Sequence, residues 1–137
     1  MRILVCGLPG TGKSTFAANL LNRLGPNACW FNADDVRKMD SDWDFSYAGR
    51  MRQAYRMRKL ADESKFKYVI CDFVAPTEEI RTQFKADFTI WMDTETSSDY
   101  KDTDQLFESP SKANYIIKSK DVQNTLGPCV ERILQLG

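Results

Sequence analysis

The chain has 137 residues, 42% of them hydrophobic and 28% charged, with nineteen basic residues balancing nineteen acidic ones and no histidine. That is the length of about one domain on a prior of roughly 100 to 200 residues each, so residues 1–137 read as a single domain whose core needs no metal or disulfide staple. Zero net charge withholds the global pull toward nucleic-acid phosphates, and the missing imidazole excludes Ser/His/Asp triads and histidine-based zinc catalysis.

Arg2 to Cys6 (RILVC) form a short apolar, β-branched run ending in glycine-rich sequence, the pattern of a buried strand. A helix is expected from near Lys13, with Phe16, Ala17, Leu20, Leu21 and Leu24 on one face, stopping at Gly25-Pro26. Residues 28 to 32 (ACWFN) read as a second strand, followed by a polar, aspartate-rich stretch at Asp40 to Asp44 and a helix from about Ser46 to Ser64. Further strands are expected at 68 to 73 (YVICDF), 88 to 93 (FTIWMD) and 114 to 119 (NYIIKS). Thr77 followed by two glutamates opens a helix over 77 to 84. Residues 95 to 111 read as a long polar surface loop, and the C-terminal helix is expected to kink or restart at Gly127-Pro128.

Strands alternating with helices predict an α/β fold, a parallel five-stranded sheet covered on both faces, with ligands at the carboxyl ends of the strands. No apolar run approaches the ~18 residues of a membrane span, and the N-terminal apolar stretch is followed by no small-residue cleavage site. The expectation is a cytoplasmic protein. Cys6, Cys29, Cys71 and Cys129 are widely spaced without a C-x-x-C pair and read as small buried thiols.

Gly7 to Ser14 (GLPGTGKS) satisfy G-x-x-x-x-G-K-[ST], between an expected strand and an expected helix. Gly7, Gly10 and Gly12 allow successive backbone N–H groups to point inward as an anion nest at a helix N-terminus. With Leu8, Pro9, Thr11, Lys13, Ser14 and Thr15 they form an expected site for ATP, with Lys13 directed at the β- and γ-phosphates and the Ser14 hydroxyl at Mg²⁺. Asp72, at the end of an apolar strand, is the candidate second metal-side ligand. In FNADDVRK (31 to 38), Asp34 and Arg37 follow a strand at the same edge, where a carboxylate can orient or deprotonate an acceptor hydroxyl and a cation can hold its charge.

These segments, together with DFSYAGRMRQAYR, VICDFVAPTEEIR and TDQLFESP, occur in the order and approximate spacing of the adenylylsulfate kinase family, and the chain resembles a short member of it. The resemblance implies the three-layer P-loop NTPase fold and transfer of the ATP γ-phosphate to the 3′-hydroxyl of a nucleotide-like acceptor, adenylylsulfate being the acceptor it names. It further implies that Asp34 orients that hydroxyl, Arg37 grips the acceptor phosphate, Phe45 stacks on its base, and Arg50 and Gln53 contact the same ligand. Asn32-Ala33 stand where that family has Asp-Gly, Ala75 replaces the serine of F-I-S-P, and Thr77-Glu78 replaces an aromatic-basic pair. The basic lid segment is missing: residues 93 to 108 hold six acids and a single lysine.

Arg52, Arg56 and Lys59 share one helix side at i, i+4, i+7 and read as a solvated basic stripe, whereas Arg50 falls with Ala54, Met57 and Ala61. The D-D-x-R stretch also resembles polynucleotide 5′-hydroxyl kinases and related small kinases that act on hydroxyls of modified nucleotides, for which the run from Arg50 to Lys59 could guide a single strand; the balanced charge makes nucleic acid the less favoured partner. A third reading is an ATP-binding module without catalysis.

Overall fold

The computed structural model describes residues 1–137. In chain order the elements are β1 (Arg2–Cys6), α1 (Lys13–Leu24), a 3₁₀ turn (Gly25–Asn27), β2 (Ala28–Asn32), α2 (Ala33–Asp40), α3 (Tyr47–Glu63), β3 (Tyr68–Asp72), α4 (Glu78–Phe84), β4 (Phe88–Met92), α5 (Lys101–Leu106), β5 (Tyr115–Ile117) and α6 (Val122–Leu136). The five strands form one parallel sheet in the order β2-β3-β1-β4-β5, the arrangement of the P-loop NTPase fold.

β1 is the central strand, and its alternation divides the core. Ile3 and Val5 point into a cluster with Phe16 and Leu20 of α1 and Cys129, Val130 and Ile133 of α6. Leu4 and Cys6 point the other way, toward Val36 of α2, Ala54 and Met57 of α3, and Ile80 and Phe84 of α4. A strand buried on both faces has to read as an unbroken apolar run, and each large side chain removed from water contributes about 1.5–3 kcal/mol. The layers that result are helices, sheet, helices.

The C-terminal helix differs from expectation. α6 runs through Gly127 and Pro128 as one element. Proline removes one backbone donor, but Leu126, Cys129, Val130 and Ile133 are buried around it, and their packing against the sheet and α1 holds the helix together. Residues 95 to 111 also differ: they contain α5 and are not a plain surface loop. β5 is shorter than expected, at Tyr115–Ile117. No helix is long and apolar enough to cross a membrane.

All four cysteines are free thiols, Cys6, Cys71 and Cys129 buried and Cys29 partly so. Burial pushes the Cys6 and Cys129 thiols up to about 12, so neither offers a thiolate nucleophile at neutral pH.

Candidate active site

The loop between β1 and α1 wraps around the Leu8 carbonyl. Thr11 Oγ1 donates to that oxygen at 2.8 Å and Lys13 Nζ at 2.9 Å, so hydroxyl and ammonium brace the loop from within. Leu8 and Thr11 are buried and shape the loop, while Pro9, Gly10, Gly12, Lys13, Ser14 and Thr15 line an open cleft of about 1040 Å³. Gly12 precedes α1 with φ of +93°, a conformation that disfavours any side chain, and no side chain caps this helix. Its first N–H groups have no side-chain partner, and the residues that carry them line the cleft at the positive end of the helix dipole. Thr94 Oγ1 donates to the Thr11 carbonyl at 2.8 Å and ties the loop to the chain leaving β4.

β2 and β3 pair in register with Asn32 opposite Asp72, both at the carboxyl ends of their strands. The Asp72 carboxylate is 2% exposed. It accepts from Trp30 Nε1 at 2.7 Å, from Ser14 Oγ at 3.1 Å, and from Asn32 Nδ2 at 3.2 Å to each oxygen. Burial raises its pKa above the usual carboxylate value, opposed by those donors and by Lys13. Lys13 responds in the mirror sense: burial lowers its pKa, and Asp72 and Asp34 raise it. Each charge thus favours the ionised form of the other across the cleft floor.

Ser14 and Asp72 offer hard oxygen donors 3.1 Å apart, which suits Mg²⁺. No group of three His, Cys, Asp or Glu side chains is placed to hold a metal by itself. An ion here would have to share its coordination with water and a nucleotide phosphate, the ordinary manner of Mg²⁺.

Across the cleft, α2 begins directly after β2. The Asn32 side chain caps it, its Oδ1 accepting from the Asp35 N–H at 3.1 Å. Asp34 lies exposed in its first turn and lines the cleft. Arg37 is 5% exposed. Its Nη1 donates to the carbonyls of Asp42 and Asp44 at 3.0 and 3.1 Å. Its guanidinium covers the Phe45 ring, with the carbon 4.2 Å from the centroid. Arg50 approaches the same ring at 5.7 Å, donates Nε to the Phe45 carbonyl at 2.8 Å, and donates Nη2 to Thr103 Oγ1 at 3.0 Å. Gln53 is buried and held at both ends: Nε2 donates to the Ala33 carbonyl at 3.0 Å, and Oε1 accepts from Arg56 Nε at 3.1 Å and Nη2 at 2.7 Å.

Of the solvated stripe expected on α3, Arg52 is half exposed while Arg56 is largely covered, and both are ion-paired. Arg52 pairs with Asp42 and Asp44, and Arg56 with Asp40 and Asp42, closing the aspartate-rich segment against the helix. Spacing on a helix wheel does not show a facing acidic loop, and the basic face is neutralised by its own chain.

One cleft therefore joins Lys13, Ser14, Asp72, Asp34, Arg37, Phe45, Arg50 and Gln53. Gly7, Leu8 and Thr11 support it from beneath, outside its lining. Sequence reasoning missed Trp30 and Asn32, which reach Asp72 only through the register of β2 on β3. It also missed Trp43, Tyr100 and Lys101 on the cleft wall. Lys101, the sole cation of residues 93 to 108, faces the cleft from α5.

A family model described as an AAA domain matches residues 3–42, the segment holding β1, the phosphate loop, α1, β2 and α2. No match is found among curated proteins. Among solved structures, the chain is similar to the Mycobacterium tuberculosis APS kinase CysC in complex with AMPPNP and APS, with a TM-score of 0.75 at 18% identity over 98% of this chain and 95% of that one. It is similar to a gluconokinase from Sinorhizobium meliloti, with a TM-score of 0.71 at 14% identity over 98% and 92% of the two chains. Shikimate kinase from Acinetobacter baumannii in complex with shikimate gives a TM-score of 0.64 at 17% identity over 98% and 91%. The fold is that of P-loop kinases.

Proposed function

We propose that the protein is an ATP- and Mg²⁺-dependent kinase that transfers the γ-phosphoryl group to a hydroxyl of a nucleotide-like acceptor. The observation that carries this reading is the single cleft with a phosphate loop and Asp72 on one side and Asp34, Arg37, Phe45 and Arg50 on the other. The fold shared with APS kinase, gluconokinase and shikimate kinase supports phosphoryl transfer to a small molecule. A bound AMPPNP in one of those kinases supports ATP as the donor.

In this reading the backbone amides of Gly10, Gly12, Lys13, Ser14 and Thr15 hold the triphosphate, and Lys13 leaves the Leu8 carbonyl for the β- and γ-phosphates. Phosphoryl transfer asks mainly for positioning and charge neutralisation. Ser14 and Asp72 would hold Mg²⁺, which would supply neutralisation of phosphate charge. Asp34, exposed beside Arg37 at the start of α2, orients the acceptor hydroxyl and takes its proton. Phe45 offers one aromatic face to the acceptor's base, with its other interactions spent on Arg37 and Arg50. Lys101 provides a cation from the strap that stands where a basic lid is missing.

Adenylylsulfate is the first acceptor to test. The protein would be incubated with γ-labelled ATP and, separately, adenylylsulfate, nucleosides, mononucleotides, gluconate, shikimate and single-stranded DNA with 5′-hydroxyl ends. Label on adenylylsulfate or another nucleotide confirms the class. Label on DNA alone, with steep salt dependence of binding, favours the polynucleotide reading. ATP binding with no labelled acceptor identifies a non-catalytic ATP-binding module.

A further inference from the structure

Asn32 touches both halves of the cleft. Its amide nitrogen lies 3.1 Å from Ser14 Oγ and 3.2 Å from each Asp72 oxygen. Its side-chain Oδ1 accepts from the Asp35 N–H and fixes the start of α2, the helix that carries Asp34 and Arg37. The parallel register sets Asn32 directly opposite Asp72, so the contact is built by strand pairing and not by a mobile loop. Trp30, two residues earlier on the same face of β2, donates to the same carboxylate.

We propose that Asn32 is the positioning residue that couples the metal side of this site to its acceptor side, and that its neutrality sets how strongly the site depends on a cation. An unpaired buried carboxylate is costly. The amide donors of Asn32 hold Asp72 and Ser14 in place while no cation is present, without adding charge of either sign. A second carboxylate at the same point would repel Asp72 until a divalent ion arrived. A shorter side chain that still capped α2 but could not reach across to Asp72 would leave the carboxylate with Trp30 and Ser14 alone while Asp34 and Arg37 stayed in position. The two duties of Asn32 are therefore separable by substitution.

The inference rests on the kinase reading for what the acceptor side does, but its metal half is measurable without turnover. Asn32→Asp keeps a good helix cap and replaces the donor with a charge. Its melting temperature in EDTA is expected to fall by about 5 °C or more and to recover with millimolar MgCl₂ and no nucleotide, whereas the parent changes little. Asn32→Ser keeps a cap and loses the amide. It should weaken Mg²⁺ affinity, read by calorimetry on the ADP-bound protein, by about 10-fold. Its acceptor KM should stay within about twofold of the parent, as a retained cap predicts. An Asn32→Asp protein that folds only with Mg²⁺ supports the proposal as well. Equal melting temperatures with and without Mg²⁺ in Asn32→Asp, or an unchanged Mg²⁺ affinity in Asn32→Ser, overturns it. If Asn32→Asp folds under neither condition, the calorimetry of Asn32→Ser decides. A metal response with no phosphoryl transfer to any acceptor would leave the coupling residue standing and remove the kinase reading alone.

Discussion

The guanidinium of Arg37 lies over the Phe45 ring at 4.2 Å while its Nη1 holds the carbonyls of Asp42 and Asp44. One buried cation thus fixes both the aromatic ring and the turn that presents it. That turn packs against α3 at Gly49, where an added Cβ would fall 2.1 Å from the Asp44 carbonyl oxygen. Gly49→Ala must displace backbone, and the displacement moves Phe45. Acceptor KM is expected to rise about 10-fold or more, because misplacement of about 1 Å near a site can cost up to about 100-fold in rate, while ATP affinity stays near that of the parent. Steady-state kinetics with each substrate varied in turn checks this. An equal loss for both substrates would detach the turn from the acceptor site.

In the proposed kinase, Lys13 and Asp34 divide the chemistry between them. Lys13→Ala removes the ammonium that neutralises the triphosphate and should abolish detectable product. Asp34→Asn keeps size and hydrogen-bonding capacity and removes the base, so kcat should drop by about 100-fold or more. Its ATP affinity by calorimetry should be close to the parent's. A parent-like kcat in Asp34→Asn would take Asp34 out of the mechanism.

Burial holds the Asp72 carboxyl above its ordinary pKa, against the pull of Trp30, Asn32, Ser14 and Lys13. The folded value lies above the unfolded one, so the native state favours the protonated form. Below the unfolded value of 3.8 there is no penalty, and as pH rises through the folded value the penalty enters and persists at neutrality. Asp72→Asn should therefore melt no lower than the parent at neutral pH without metal, while losing Mg²⁺-supported turnover. Differential scanning calorimetry at neutral and acidic pH separates the two. A markedly lower melting temperature at neutral pH would show that the hydrogen bonds to the carboxylate outweigh its burial.

The aspartates of the turn behave in the opposite sense. Arg52 and Arg56 hold the Asp42 carboxyl well below the usual range, and hydrogen bonds from Ser46 and Arg52 bring Asp44 down to about 2. Both folded values are depressed, so the stabilisation they give is present above the unfolded value of 3.8 and is lost as pH falls below it. The turn should loosen in acid before the sheet does. Trp43 sits between the two aspartates, and its indole N–H resonance should shift as pH falls from the unfolded value of 3.8 to about 2. A resonance that stays fixed across that range would mean the ion pairs do not hold the turn.

The strands, the phosphate loop and the helix after it are legible in the sequence because each is encoded locally. Ile3 to Cys6 form an unbroken apolar run, and Gly7 to Ser14 carry their ligand geometry in the backbone. Asp72 was legible as the end of an apolar strand. Asn32 and Trp30 were not, because their importance comes from the register of β2 on β3, which no local pattern states. The continuity of α6 through Pro128 was hidden for the same reason: local propensity argues for a break, and packing against α1 and the sheet overrides it. Arg56 looked solvated on its helix because its partners, Asp40 and Asp42, lie in the preceding connection.

The pairing of β2 with β3 carries a consequence for how the protein reaches its working state. A slip of one residue in that ladder would turn Trp30 and Asn32 onto the opposite side of the sheet. The buried carboxylate would lose its neighbours, and the start of α2 would lose its cap. A chain assembled in the wrong register would thus be penalised at the very point where it would also be inert, so quality control of assembly and competence for chemistry are enforced by the same few atoms.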